Sequence, residues 1–176
     1  MDKAILILGA GSYGQAVAET AAACGYSRID FLDDANPKAL GRLSEAERFL
    51  RDYPEAIAGI GSNRLREQLQ QKLKQIGFGL PVLIHPTAYV SPTARIEEGT
   101  FVGPMAIVNT RAHVGQGSIL SAGSIVDHHA EIGAWCHINT GSIVKAGGKV
   151  PPFTKLEAGE LVLGYPQAVV HRSGEA

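Results

Sequence analysis

From Val90 onward one aliphatic residue returns every six positions: Val90, Ile96, Val102, Val108, Val114, Leu120, Val126, Ile132, Ile138, Val144, Val150, Leu156 and Val162, thirteen in unbroken register. Four places after each stands Ala94, Thr100, Ala106, Ala112, Ser118, Ser124, Ala130, Cys136, Ser142, Gly148, Thr154, Glu160 or Pro166, small in all but the last two. Helices repeat apolar positions at spacings of three and four and half-buried strands at two, so a period of six fits neither. It predicts a β-solenoid in which three hexads close one triangular coil, with each aliphatic side chain inside and each small residue where the wall bends. Parallel strands of successive coils then stack about 4.8 Å apart, and solenoids of this pattern wind left-handed, against the usual crossover hand. Thirteen hexads make little more than four coils. So short a tube leaves flat faces that neighbouring copies can bury, which predicts a homotrimer about the coil axis.

The preceding residues follow a different rhythm. Ala4 to Leu8, Ile29 to Leu32, Ala56 to Ile60 and Pro81 to Ile84 read as strands, alternating with helices at Gln15 to Cys24, Ser44 to Arg51 and Asn63 to Ile76, the last capped by Asn63. Alternation implies a parallel sheet with helices on its faces. The expected fold class is therefore an α/β Rossmann-like half domain followed by a left-handed parallel β-helix. The domains run from 1 to 84 and from 85 to 170, with a tail from 171 to 176.

Composition narrows the partners. Sixteen basic against 17 acidic residues give no field to hold a polyanion, so nucleic acid is not expected. The apolar run Ala4 to Leu8 is too short to span a bilayer, and Met1-Asp2-Lys3 does not read as a secretory leader, which places the chain in the cytoplasm. Two cysteines exclude a disulfide framework and a four-cysteine zinc site, and six histidines without a paired acidic set predict no metal.

Gly9-Ala10-Gly11-Ser12-Tyr13-Gly14 matches G-x-G-x-x-G between a strand and a helix, with Asp33 and Asp34 ending the next strand. Glycines admit a phosphate to the backbone, and the helix start offers unpaired N–H donors. About 84 residues supply little more than one mononucleotide half, which favours a nucleotide or nucleotide-sugar over a dinucleotide and sets an oxidoreductase third. A tight turn with no ligand is the alternative. Gly61-Ser62-Asn63 closes a second such turn on the same sheet edge, and the two together make a crevice.

In the solenoid, His128 and His129 share a corner where other hexads place glycine, with Thr110 and Arg111 one coil below and the small Ala146 and Gly147 above, leaving room for a ligand. An imidazole, with an unperturbed pKa of about 6.5, suits proton transfer at neutral pH, and Asp127 is placed to orient one; two surface histidines are the plain alternative. His137 lies half a coil from His128 and meets it only across a subunit boundary. Cys136 reads as core filling. His113 has no evident partner, and His85 and His171 read as structural or exposed.

These stretches, together with Phe31-Leu32-Asp33-Asp34, Gly59-Ile60-Gly61-Ser62-Asn63 with Arg66, Leu83-Ile84-His85-Pro86-Thr87-Ala88, Val126-Asp127-His128 and the closing Leu163-Gly164-Tyr165-Pro166-Gln167-Ala168, make nearly the whole chain resemble the bacterial sugar O- and N-acetyltransferases of the hexapeptide-repeat type, those acting on sialic acid and on UDP-4-amino-sugars. The resemblance implies transfer from acetyl-CoA to a nucleotide-linked (UDP-) sugar at a trimer interface. His128 is then the general base and His137 lines the acetyl site. The substrate-binding set is Gly11, Ser12, Tyr13, Gly14, Asp33, Asp34, Gly61, Ser62 and Asn63, and Ala146, Gly147 and Gly164 meet the cofactor. Tyr13, Ser121 and His129 stand where that family commonly has histidine, asparagine and an acid, and the solenoid is short. A non-catalytic sugar-nucleotide-binding or regulatory protein with a degenerate transfer site is accordingly the competing expectation.

Overall fold

A computed structural model describes residues 3–166. Its first part is a three-stranded parallel sheet of β1 (Ala4–Leu8), β2 (Arg28–Leu32) and β3 (Glu55–Ala58) in the order β2-β1-β3. Helix α1 (Ser12–Ala23) joins β1 to β2, and helix α2 (Asn63–Ile76) follows β3. The short helix expected at Ser44 to Arg51 is a 3-10 helix, Leu43–Phe49. The run Ala-Ile-Leu-Ile-Leu is apolar throughout because β1 is the central strand and is covered on both sides. Leu6 and Leu8 pack with Tyr53, Leu69 and Leu73; Ile5 and Ile7 pack with Val17 and Ala21.

Two assignments differ from the sequence expectation. Ser62, not Asn63, caps α2: its hydroxyl accepts the N–H of Leu65 at 3.5 Å. Asn63 is the first helical residue, and its amide serves the contact with the solenoid instead. The fourth strand, Leu83–Ile84, pairs with Phe101–Val102 and not with the N-terminal sheet. Ile84 stands six residues before Val90 and joins the interior of the tube. The hexad register thus begins one step earlier than Val90 and claims the strand.

The remaining strands, two residues each, form three parallel sheets around one interior. All thirteen register residues fall in a single apolar cluster, ten of them buried. Fully burying such a side chain contributes about 1.5–3 kcal/mol, so the column of aliphatics is the main source of stability here. Consecutive side chains on a strand point to opposite sides, and each face of the tube therefore presents an outward row of its own. Leu83, Phe101, Ile119 and His137 point toward the N-terminal domain. Tyr89, Ile107, Ile125, Ile143 and Leu161 form an apolar ladder with no domain against it among the described residues. Arg95, His113, Glu131 and Lys149 form a charged row on the third face. Among the described residues no helix is long and apolar enough to cross a membrane.

Candidate active site

The glycine loop opens the site at its nucleotide end. Gly9 has φ 108°, a left-handed conformation, and a Cβ on Gly14 would run into the Gly9 carbonyl. These two positions admit only glycine, because the loop must fold back on the start of α1. Gly11 and Ser12 are exposed, and nothing stands within 4 Å of where a Gly11 Cβ would be. Asp33 closes the loop from the β2 side. Its Oδ2 accepts the Ala10 N–H at 2.8 Å, and Oδ1 accepts those of Ala35 and Asn36 at 2.8 and 2.9 Å. These donors, Ala10 first, hold its carboxyl below the usual carboxylate range. Asp34 is exposed and accepts the Leu43 N–H at 3.0 Å. A hollow bounded by Ala10, Gly11, Asp33, Ala35, Asn36 and Pro37 lies alongside.

At the second turn Gly61 is unobstructed. The Asn63 side chain reaches across to the solenoid, donating to the carbonyls of Phe153 at 2.8 Å and Thr154 at 3.3 Å. The turn therefore offers its main chain, rather than this amide, to the crevice.

Between the domains lies a cleft lined by Tyr13, Glu19, His85, Phe101, Ser121 and Thr140. Tyr13, on the first turn of α1, sets its ring edge-on to Phe101, with centroids 5.6 Å apart, and 6.4 Å from the ring of His137. Burial pushes its hydroxyl well above the ordinary tyrosine value. His137 pairs through Nε2 with the Ser121 hydroxyl at 3.0 Å. Its Nδ1 is buried on the Gly61 side without a well-formed hydrogen bond. Burial first, then the charges of Arg66 and Lys155, press its pKa down to about 4, so at neutral pH the ring is uncharged.

His128 occupies an exposed corner between the apolar ladder and the charged row. Asp127 does not orient its ring: Oδ1 accepts the His128 main-chain N–H at 2.7 Å and the Asn109 amide at 3.0 Å. One coil above, the Ala146 N–H makes no hydrogen bond among the described residues, whereas the Gly147 N–H donates to the His128 carbonyl at 3.0 Å. The room expected above Gly147 is occupied. A Cβ there would meet the ring of Tyr165, which also stands 6.4 Å from His128. Tyr165 is brought over this corner because its N–H donates to the Ala146 carbonyl at 3.0 Å, and Gly164 packs so close to that carbonyl that no side chain fits.

His128 and His137 stand on different sides of one tube and are not brought together within a chain. His113 does have a partner, Glu97 Oε1 at 2.8 Å from Nε2. His85 Nδ1 lies 2.8 Å from the Thr87 hydroxyl. Cys136 is buried, burial raises its thiol, and Sγ donates to the Pro151 carbonyl at 3.1 Å. Gln167, Ala168 and His171 lie outside the described residues.

Comparison with known proteins places this geometry. Residues 4–73 match the family model described as the PglD N-terminal domain. The acetyltransferase domain of PglB from Neisseria gonorrhoeae, solved in complex with acetyl coenzyme A, is similar over 92% of this chain and 82% of its own, at 30% identity and a TM-score of 0.88. The chain belongs to the bacterial sugar acetyltransferases. PerB from Caulobacter crescentus, solved with CoA and GDP-perosamine, is similar over 92% of this chain and 89% of its own, at 30% identity and a TM-score of 0.79. This acetyltransferase is thus an acyltransferase built as an α/β half domain on a left-handed β-helix.

One residue of the acetyltransferase carries more than its sequence position suggested. Arg66 is fully buried and has no carboxylate partner among the described residues. Its guanidinium donates to the carbonyls of Gly117 at 2.7 Å, Cys136 at 3.0 Å and Trp135 at 3.2 Å on the tube. It also donates to Ile60, Gly61 and the Asn63 side chain on the turn after β3. The planar fork of five donors suits such a cage of neutral acceptors. It fixes the crevice turn against the strand that carries His137. A helix arginine on the same face as Leu69, Gln70 and Leu73 was the available signal.

Proposed function

We propose that this acetyltransferase moves an acetyl group from acetyl-CoA to an amine or hydroxyl of a nucleotide-linked sugar, within a homotrimer. The observation that carries the reading is the exposed imidazole of His128 set one coil beneath the unpaired N–H of Ala146. His128 takes the proton that the acceptor gives up as it attacks the thioester carbon, and returns it to the departing thiol. Ala146 N–H faces the oxygen on which charge develops. No acyl group passes through Cys136, whose thiol is buried and protonated. Gly147 and Gly164 shape the wall on which the donor lies, and Tyr165 narrows it.

At the other end, Gly11, Ser12 and Gly14 present the N-terminus of α1 to the diphosphate, and Gly61 and Ser62 supply the second turn. Asp33 keeps that loop in shape, and Asp34 stands at the rim with Asn63 behind the turn. Tyr13 and Ser121 line the cleft that receives the sugar, and His137 stands behind Ser121, paired with its hydroxyl. The α/β part through α2 serves as the nucleotide-sugar module and the tube, from Leu83 onward, as the transfer module. The sequence resemblance favoured UDP, whereas PerB was solved with GDP-perosamine; the class of substrate is the nucleotide sugar, and the base is a matter for titration. An incompleteness of the single chain supports the trimer. His128 and His137 face different ways on one chain, and the apolar ladder beside His128 needs a cover. A second copy supplies both.

Calorimetric titration with acetyl-CoA and with UDP- and GDP-sugars, coupled to an assay of free thiol, tests the reading. Saturable binding of donor and one nucleotide sugar is expected, with transfer lost in His128→Ala while both still bind. Binding of the sugar nucleotide alone, with no transfer by the unaltered protein, overturns it.

A further inference from the structure

The corner that carries His128 holds a second imidazole in an unusual place. His129 adopts φ 58°, the left-handed conformation that glycine takes at the same corner one coil above. Outside glycine this costs of order 1 kcal/mol. Its backbone is held there by donation of its N–H to the Thr110 carbonyl at 3.0 Å. The two rings stand at 90° to each other, with Nδ1 of His128 3.1 Å from Nδ1 of His129. Two nitrogens at that distance share one proton: two lone pairs would repel, and two N–H groups would collide. One ring therefore donates from Nδ1 and the other accepts.

Which ring donates decides whether His128 can act as a base. If His128 donates, its lone pair lies on Nε2, free at the corner; if it accepts, Nε2 carries hydrogen. The acid that sits beside it in sequence, Asp127, makes no hydrogen bond to the ring, its Oδ1 accepting the His128 main-chain N–H and the Asn109 amide. His129 faces a groove lined also by Arg95, Arg111, His113, Glu131, Lys149 and Tyr165. With Nδ1 of His128 engaged by His129, Nε2 is the nitrogen His128 has left for an acceptor's proton, so action as a base requires the arrangement in which His128 donates from Nδ1 and His129 accepts.

We propose that His129 is a positioning residue whose Nδ1 accepts the Nδ1–H of His128, holding His128 in the tautomer with its lone pair on Nε2. The assignment rests on His128 being the general base. When His128 takes the acceptor's proton on Nε2, the bond to His129 becomes charge-assisted and strengthens. The pair does the orienting work of a carboxylate without adding a charge to the corner.

Long-range 1H–15N correlation of the full chain labelled at histidine, with His128 assigned by its disappearance in His128→Gln, reads the tautomer directly. At a pH where both rings are neutral, the unaltered protein is expected to show His128 with hydrogen on Nδ1. In His129→Phe the hydrogen moves to Nε2, and kcat falls at least about tenfold while KM for acetyl-CoA stays within about twofold. His129→Glu, which restores an acceptor, recovers kcat and moves the acid limb of the pH profile to higher pH, because a carboxylate stabilises the imidazolium. His129→Gly checks the fold: it relieves the backbone and keeps or raises the melting temperature, yet loses kcat as His129→Phe does. Hydrogen on Nε2 of His128 in the unaltered protein overturns the proposal. So does full kcat in His129→Phe when His128→Ala is inactive. Full activity in His128→Ala instead removes the general base, a separate failure, and leaves the tautomer measurement to stand or fall by itself.

Discussion

Two outer rows of the solenoid are chemically alike and differ only in what covers them. Leu83, Phe101 and Ile119 are 1%, 4% and 0% exposed because the N-terminal domain lies on them, whereas Tyr89 and Leu161 on the next face are 55% and 52% exposed. The same hexad register produced both rows. What separates them is that one cover is carried in the same chain, and for the other we propose a second copy. The third row, Arg95 to Lys149, carries charge instead and needs none. Outward apolar residues on a repeat that needs none for its own interior therefore mark a docking face, and their count on each side tells which faces are shared.

The sharpest way to break the comparison is to place one charge in each row. Ile119→Glu buries a carboxylate under the N-terminal domain and costs at least about 3 kcal/mol, seen as loss of soluble folded protein or a collapse of the denaturation midpoint. Ile125→Glu, on the uncovered face, is expected to leave a folded monomer by sedimentation and to lose roughly a hundredfold in transfer, as the proposed shared site requires. Lys149→Ser on the charged row changes neither.

The next effect concerns how the covered row is fastened. Arg66→Met leaves the carbonyls of Gly117 and Trp135 without donors, Cys136 keeping the Ile119 N–H, and lowers unfolding free energy by about 3 kcal/mol, measured in urea, with sugar-nucleotide affinity falling alongside. Acid sharpens the same seam. His137 binds its proton near pH 4 when folded, against about 6.5 in an unfolded chain. Between these values the unfolded state holds more protons, so stability is full above about 6.5 and declines as pH falls toward 4. His137→Asn flattens that decline. Asp33 does not confuse the measurement, because its depressed carboxyl gives up its contribution below the ordinary value of 3.8. The smallest effect is at the exposed edge: Tyr165→Gly clears the space over Gly147 and lowers KM for acetyl-CoA by about threefold, with unchanged assembly.

The tube was legible because its signal is one-dimensional. A buried aliphatic every six residues from Val90 to Val162 dictates an interior column whatever surrounds it, and the structure keeps every one of them in that column. Where the column starts was not legible: Pro81 to Ile84 looks like any short strand, and only its pairing with Phe101–Val102 reveals which sheet claims it. The glycine loop was legible as a strand-to-helix turn, since Gly9 and Gly14 answer to steric demands that sequence spacing encodes. The partners of its side chains were not. Asn63 turns to Phe153, ninety residues away in the chain, and His113 finds Glu97 on the coil below. Tyr165 over Gly147 was hidden for the same reason: eighteen residues separate them, and a turn residue gives no sign of where its ring will lie. The contact between His128 and His129 was invisible from their adjacency alone, because neighbours in an extended strand diverge and only the left-handed corner swings them together.

The arginine cage has a consequence for building hybrids of such enzymes. Replacing the first eighty residues by the equivalent stretch of a relative with another nucleotide preference keeps a working seam only if the incoming helix brings an arginine at position 66 and the recipient tube keeps the backbone path at Gly117, Trp135 and Cys136 that receives it. A graft that omits this guanidinium socket is expected to part at that point first.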